Sequence, residues 1–419
     1  MKTKRLSLIF IVLILLLSPA VLYSAENLSL NSLIEEALKN NPQIKAAKFR
    51  YEAAKSRVKL LRTLDDPKFE YEYDKIIPSM ISGATGMAMS PMRTFSISQD
   101  VPFPTKLILR KARAEKESRA FEEDYKETER KVIQNLKNAY FELFLSHKKI
   151  AITQENLNLI SQFIEVANKK YSVGQATQAD SLKAQVEHSK LSNELVLLSQ
   201  EEKIAKEMIN AILSRTQDAL IDEPEEKSNK GLEFNEEKII KLAKESRPEL
   251  KSFKAMMRKS EIDYALSKQE YLPDFMFKYK REQKNGSAGA WAGSIGMTIP
   301  LWFWEKQDSF VKEARANNEV VKAEYKQEEN MVLFEVRSGF AKFEAAKSLV
   351  KIYETGVLPQ AQSALDTAML GYQAGKLEFL ELLDSQRTLR EFQMEYFEAL
   401  ANLEIALADL ERSVGTNLT

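Results

Sequence analysis

Along most of this chain apolar residues recur three and four positions apart, and in four short stretches they alternate with polar ones instead. The helical pattern runs longest from Thr105 to Tyr171, where Val132, Leu136, Ala139 and Leu143 mark one face of a segment rich in Ala, Leu, Glu, Lys, Arg and Gln. No proline falls between Thr105 and Glu223, and Gly174 is the only glycine there. This predicts a helix of about 100 Å, a break at YSVGQAT, and a return helix over Gln175–Ser214. The second half repeats the plan, with a helical run over Leu301–Tyr372 kinked at Pro359, a break at YQAGKLE and a return helix over Phe379–Ser413. Each long hairpin is preceded by a shorter helix, Leu30–Leu64 or Lys238–Glu270, and by two strands. The strands fall at 67–76 and 93–101 in the first half and at 273–282 and 290–299 in the second. Their cores, FEYEY, TFSIS, FMFKY and SIGMTI, have the period of two expected of a two-faced sheet.

Landmarks in the two halves are offset by about 200 residues: Asn41-Pro42 with Arg247-Pro248, Pro67 with Pro273, Pro102 with Pro300, Tyr171 with Tyr372, Gly174 with Gly375 and Gln185 with Gln386. The chain therefore divides into a first repeat over 26–216, a connector over 217–235 and a second repeat over 236–419. The connector is acidic, polar and helix-breaking, a surface layer or else a linker between independent domains. Residues 1–25 have a basic start (Lys2, Lys4, Arg5), an apolar run from Leu6 to Leu17 and small residues at Ser24 and Ala25, the layout of a secretory signal. A retained anchor is the alternative, but the run falls short of the ~20 residues of a spanning helix.

Charge narrows the function. Sixty-one basic residues face sixty-one acidic ones, and loss of the leader leaves a slight acidic excess, so no nucleic acid partner is expected. The absence of cysteine excludes disulfides, thiolate metal sites and an acylated N-terminal cysteine. Beyond the leader no apolar stretch approaches ~20 residues, whereas the alternating strands are compatible with a transmembrane β-barrel. Four strands do not close a barrel, and so long a helical hairpin leaves a face uncovered, so the chain is expected to oligomerise into a hollow duct.

The segments EEALKNNPQIKAA (35–47), QDVPFPTK, MTIPLW, YSVGQATQAD (171–180) and YQAGKLEFLELLDSQ (372–386), in this order, resemble the TolC-like outer membrane efflux proteins over essentially the whole mature chain. The resemblance implies a mainly α fold with a membrane β-barrel: a homotrimer forming a twelve-stranded outer membrane barrel continuous with a twelve-helix periplasmic α-barrel, each protomer a single intertwined unit over 26–419. It further implies an exit duct of a tripartite efflux system in a Gram-negative-type cell. Its partners would be outer membrane lipid, a periplasmic adaptor (membrane fusion) protein and an inner-membrane pump of the RND type. Type I protein secretion is an alternative duct function, and an exported coiled-coil scaffold is an alternative class.

By the same resemblance Asp180 and Tyr372 pair across a closed gate, and Glu381 and Asp384 line its constriction. Val173, Gly174, Ala374 and Gly375 match the small tip residues on which adaptor hairpins pack. A basic residue expected in the second tip falls at Leu377, so the closing contacts differ in part. At the strand-to-helix junctions, Pro102, Phe103, Pro104, Pro300, Trp302 and Trp304 suit the membrane boundary, where prolines end strands and aromatic rings form belts, or the packing of the seam between barrel and tunnel. SPMRTFSISQDVPFPTK also resembles the heavy-metal branch of the family. Met80, Met87, Met89 and Met92 are soft ligands suited to Cu(I), or apolar filler near lipid. His147 and His188 are single helix residues that read as structural. With no phosphate-cradling loop and no nucleophile constellation, neither enzymatic activity nor a cofactor is expected.

Overall fold

The computed structural model describes residues 29–74, 92–225, 231–284 and 287–418. The leader and the methionines Met80, Met87 and Met89 lie outside them. In chain order the elements are α1 (Leu30–Asn40), α2 (Pro42–Leu60), β1 (Lys68–Asp74), β2 (Met92–Val101), α3 (Pro104–Ser172), α4 (Gln178–Leu213), α5 (Glu236–Ser246), α6 (Pro248–Gln269), β3 (Phe275–Lys284), β4 (Ser287–Met297), α7 (Lys306–Ile352), a π-turn (Tyr353–Val357), α8 (Leu358–Gln373) and α9 (Phe379–Val414). The protein is thus mostly helical, with one small sheet.

Three boundaries differ from the sequence reading, each for a local reason. The helix expected over Leu30–Leu64 is two helices, because Asn41 leaves the helical region (φ −60°, ψ 126°) ahead of Pro42. Its Oδ1 accepts from the backbone N–H groups of Gln43 and Ile44, at 2.8 and 3.3 Å. The helix expected over Lys238–Glu270 breaks likewise at Arg247-Pro248. Here the cap side chain reaches outward instead: the Arg247 guanidinium donates to the Ser413 carbonyl at 2.8 Å and to Glu249 at 2.6 Å, and pairs with Glu335. Finally, the long run expected from Leu301 begins as α-helix only at Lys306, after a turn over 301–305, and is interrupted at Tyr353–Val357. There the Leu358 N–H donates to the Tyr353 carbonyl five residues back. Pro359 lies one residue further on, and a widened turn accommodates its ring and missing N–H.

The four strands form an antiparallel sheet in the order β1-β2-β3-β4. Its register places Phe69, Ile97 and Tyr279 in one row and Tyr71, Phe95, Arg281 and Trp291 in the next. One face is therefore predominantly aromatic and apolar, and it is solvent-exposed: Phe69 is 68% accessible, and Trp291 and Ile295 are each 73% accessible. The other face carries Lys68, Glu70, Thr94, Ser96, Lys278 and Lys280. On that face Thr94 and Ser96 are buried, and Glu70 accepts from Ser96 Oγ at 3.1 Å and Lys278 Nζ at 2.8 Å. Between β3 and β4 the register slips at Arg281/Gln283, where a Cβ on Gly289 would lie 2.0 Å from the Glu282 carbonyl oxygen. Only glycine fits that bulge.

The chain folds into two compact units, each taking segments from both halves of the sequence. Among the described residues one draws on 29–36, 139–225 and 361–397, the other on 37–74, 92–138, 231–284, 287–360 and 398–418. The first has a core of Leu157, Ile160, Phe163, Leu191, Leu365, Tyr372, Phe379, Leu382 and Leu383, contributed by helices of both repeats. In the second, the sheet and α6 lead into α7, and the Arg247 cluster fixes the α5–α6 corner against the end of α9. Connector residues also make defined contacts. In the first unit, Asn210 Nδ2 donates to the Gln217 and Ala219 carbonyls at 3.2 and 3.0 Å. In the second, Phe234 packs on Phe343 with ring centroids 5.2 Å apart.

Candidate functional site

The two hairpin breaks have one construction. At the end of α3, Gly174 takes φ +73°, its N–H donates to the Tyr171 carbonyl at 3.0 Å, and the Gln175 N–H donates to Lys170 at 2.8 Å. At the end of α8, Gly375 takes φ +70°, with the same bonds from Gly375 to Tyr372 at 3.1 Å and from Lys376 to Gly371 at 2.9 Å. Both are Schellman caps, which need a left-handed residue and so favour glycine. Nothing lies within 4 Å of where a Cβ would stand on either glycine. Val173 and Ala374 beside them are exposed.

Across the first unit the two tips are tied together by Lys170. Its Nζ donates to the carbonyls of Tyr372 at 2.6 Å and Gln373 at 3.2 Å, the last residues of α8, and sits 4.7 Å from the centre of the Tyr372 ring. The Tyr372 ring is buried edge-on against Phe379, at 5.4 Å between centroids. Its hydroxyl has no hydrogen-bond partner among the described residues, and burial, then the nearby charge of Asp180, pushes the phenol above its ordinary pKa. Asp180 itself accepts from Thr177 Oγ1 at 3.1 Å in the first turn of α4. The structure thus brings Asp180 and Tyr372 close, without the phenol-to-carboxylate bond expected of the pair. Leu377, found where a cation was expected, packs on this core, and its Cβ would lie 3.2 Å from a Cβ on Gly371.

Glu381 and Asp384 are exposed one turn apart on α9. Residues that sequence reasoning missed lie just beyond them. Arg387 pairs with the buried Glu187, Arg390 Nη1 meets both oxygens of Glu194 at 2.8 Å, and Gln386 donates to Asn156 inside the core. These join helices of different repeats, so no local pattern announces them. Gln386 was visible as a landmark matching Gln185, yet the Gln185 side chain donates to Ser181 on its own helix instead of crossing to another.

A sheet with its apolar face outward, joined to long capped helices, has a counterpart in known proteins. The family model described as "Outer membrane efflux protein" matches residues 33–215 and 239–416, one stretch in each half. The chain belongs to the outer membrane efflux protein family. The cobalt-zinc-cadmium resistance protein CzcC of Cupriavidus metallidurans is 18% identical over 287 residues, 66% of each chain. The outer membrane protein TolC of Vibrio cholerae is 21% identical over 321 residues, 72% of each chain. Among solved structures, the outer-membrane channel OprN superposes with a TM-score of 0.82 at 18% identity, covering 93% of this chain and 90% of that one. CusC gives 0.81 at 16% identity, covering 93% and 92%. The protein is an outer membrane efflux channel that spans the outer membrane and extends into the periplasm, with the fold of channel proteins rather than of an enzyme.

In this efflux channel the two strand-to-helix junctions are not alike. Pro104 is the first residue of α3, as a helix N-terminus allows. Beside it, the Phe103 N–H and Lys106 Nζ both donate to Asp274 Oδ1 at 2.9 Å, and Phe103 stacks on Phe275 at 6.5 Å, while Pro102 is half-buried. Pro300 is followed instead by the turn over 301–305, closed by the Lys306 N–H donating to Trp302 at 2.9 Å. That turn holds Trp302, Phe303 and Trp304 in an exposed edge-to-face cluster, with centroids 5.1 to 5.9 Å apart. Among the described residues no cluster of His, Asp or Glu has the makings of a metal site, and no helix is long and apolar enough to cross a membrane. Met92 opens β2, and His147 Nε2 lies 2.9 Å from Glu202.

Proposed function

We propose that three copies of the chain join their four-stranded sheets edge to edge into a twelve-stranded barrel continuous with a twelve-helix tunnel, the exit duct of a tripartite efflux system. The observation that carries this is the inverted sheet: aromatic side chains face outward while Thr94, Ser96 and their charged neighbours lie on the opposite side. That polarity suits lipid outside and water inside, and β1 and β4 offer the edges to be paired. The junction residues Pro102, Phe103, Pro104, Pro300, Trp302 and Trp304 then ring the duct where membrane gives way to periplasm. Val173, Gly174, Ala374 and Gly375 receive a periplasmic adaptor, for which the open space around both glycines leaves room. An inner-membrane pump of the RND type supplies the cargo.

The tips form the gate. Asp180 and Tyr372 hold it shut, and threefold repetition of the exposed Glu381 and Asp384 makes rings of negative charge that favour cations. Heavy-metal cations are accordingly the proposed cargo, a reading supported by the name of the relative CzcC, a cobalt-zinc-cadmium resistance protein. Purified protein should run as a heat-modifiable trimer, and Asp180→Ala combined with Tyr372→Phe should raise single-channel conductance in planar bilayers. Unchanged conductance would remove these two positions from the gate. A deletion strain should become sensitive to cobalt, zinc, cadmium, copper or silver, and unchanged sensitivity to all five would sink the metal cargo.

A further inference from the structure

Within the second unit, α3, α5, α6 and α7 surround an open hollow of about 570 Å³ whose lining is strongly one-signed. Six cationic side chains, Lys116, Arg119, Lys244, Lys251, Lys254 and Arg258, face a single carboxylate, Glu245. Lys244 and Arg258 have exposed partners, Glu329 at 3.4 Å and Glu261 at 2.8 Å, pairings that contribute little. Lys116, Arg119, Lys251 and Lys254 make no ion pair or side-chain hydrogen bond among the described residues. Four unneutralised cations around one hollow repel one another, and a bound anion would relieve that repulsion.

The arrangement also selects a shape. Lys251, Lys254 and Arg258 form one stripe along α6, spanning about 10 Å, and Lys116 and Arg119 stand across from them on α3. Two facing rails of charge suit a linear polymer bearing several anionic groups better than a single phosphate. Between the rails the floor is apolar, made by the buried Leu250 and Ala255, and Tyr325 borders it. An aromatic ring beside an apolar floor offers the C–H face of a sugar a place to rest.

We propose that this hollow binds an anionic glycan bearing carboxylates, the chemistry of the peptide-linked cell wall that an outer membrane channel meets in the periplasm. The contact would hold the channel in the wall independently of any cargo. Detergent-solubilised trimer should co-sediment with purified cell-wall sacculi at 0.1 M NaCl and be released at 0.5 M, as screening of surface charge requires. Lys251→Glu combined with Lys254→Glu should lower the retained fraction about tenfold, and amidating the wall carboxylates should do the same. The milder pair Lys116→Gln and Arg119→Gln, which reverses no charge, should lower it less. Lys342→Glu, an exposed change on α7 outside the hollow, should leave it unaltered. Equal retention of the double-Glu variant, as a heat-modifiable trimer, would overturn the proposal. So would binding to lipopolysaccharide vesicles but not to sacculi. Since the assay reads wall binding and not export, failure here leaves the efflux reading standing, and export by the double-Glu variant should be normal.

Discussion

The Lys170 clamp gives the most direct handle on the tips. In Lys170→Met the side chain keeps most of its length and loses its charge, so two charge-assisted bonds to the Tyr372 and Gln373 carbonyls disappear along with the contact to the Tyr372 ring. A hydrogen bond to a charged group contributes about 1.5–3 kcal/mol when well buried, and a cation over an exposed ring about 0.5–1 kcal/mol. Lys170 is only half-buried and one of its two bonds is exposed, so the discounted total is about 1–2 kcal/mol per chain. If the clamp holds the two tips of a protomer in the closed arrangement, that is a shift of about 5- to 30-fold toward the open one. Single-channel recording in planar bilayers should show longer and larger openings for Lys170→Met, while Lys170→Arg, which keeps the charge, stays near the parent. An intact trimer of Lys170→Met with the parent's conductance and open fraction would refute the reasoning, because the bonds would then hold a shape without holding a gate.

The remaining predictions concern the sheet, the caps and the buried charges. Ile97→Lys, on the apolar face of a central strand, should cost up to about 2–4 kcal/mol in lipid and abolish the heat-modifiable trimer, whereas Thr94→Asn on the polar face should still assemble. Gly375→Val forces a β-branched residue to φ +70° and should lower the melting temperature by the equivalent of about 1–2 kcal/mol, with Gly375→Asn intermediate; equal melting of all three would contradict the cap. Burial first, then the charge of Glu249, holds the Glu127 carboxyl above its ordinary pKa despite the Arg412 pair. Its raised folded pKa favours folding while the group is protonated, and that contribution is lost as pH rises above the ordinary carboxylate range. Glu127→Gln should therefore melt at or above the parent at pH 7.5, with the gap closing below about pH 4.5. A variant distinctly less stable at pH 7.5 would show that the Arg412 pairing outweighs burial.

Much of this architecture was legible because it is written in short-range chemistry. Period-two alternation located all four strands to within a few residues, and Gly174 and Gly375 marked breaks whose positive φ they then supplied. The helix splits at Asn41-Pro42 and Arg247-Pro248 were readable from the proline rule, but continuous helical periodicity on both sides masked them. The turn over 301–305 escaped notice because Leu-Trp-Phe-Trp carries no turn residue, and Pro300 suggested a helix start like that at Pro104. For the site, glycine and acid positions stood out, while Lys170, Glu187 and Arg387 did not. Their partners are about 200 residues away in sequence. One lysine among many on a helix looks solvated until its neighbour is known.

The π-turn at Tyr353–Val357 has a consequence for how this chain tolerates change in length. Before it, the buried positions Val332, Val336, Gly339, Phe343, Ala346 and Val350 step by alternate fours and threes. Past it, Ala361, Leu365, Ala368 and Tyr372 resume the same steps, but one residue out of phase. One extra residue turns a helix by about 100°, enough to carry the whole tip to the wrong side. A single wide turn absorbs that residue and returns Tyr372 to the core. The segment thus reads as a healed insertion, and deleting Gly356 should straighten the helix while leaving the buried face of α8 in phase with that of α7.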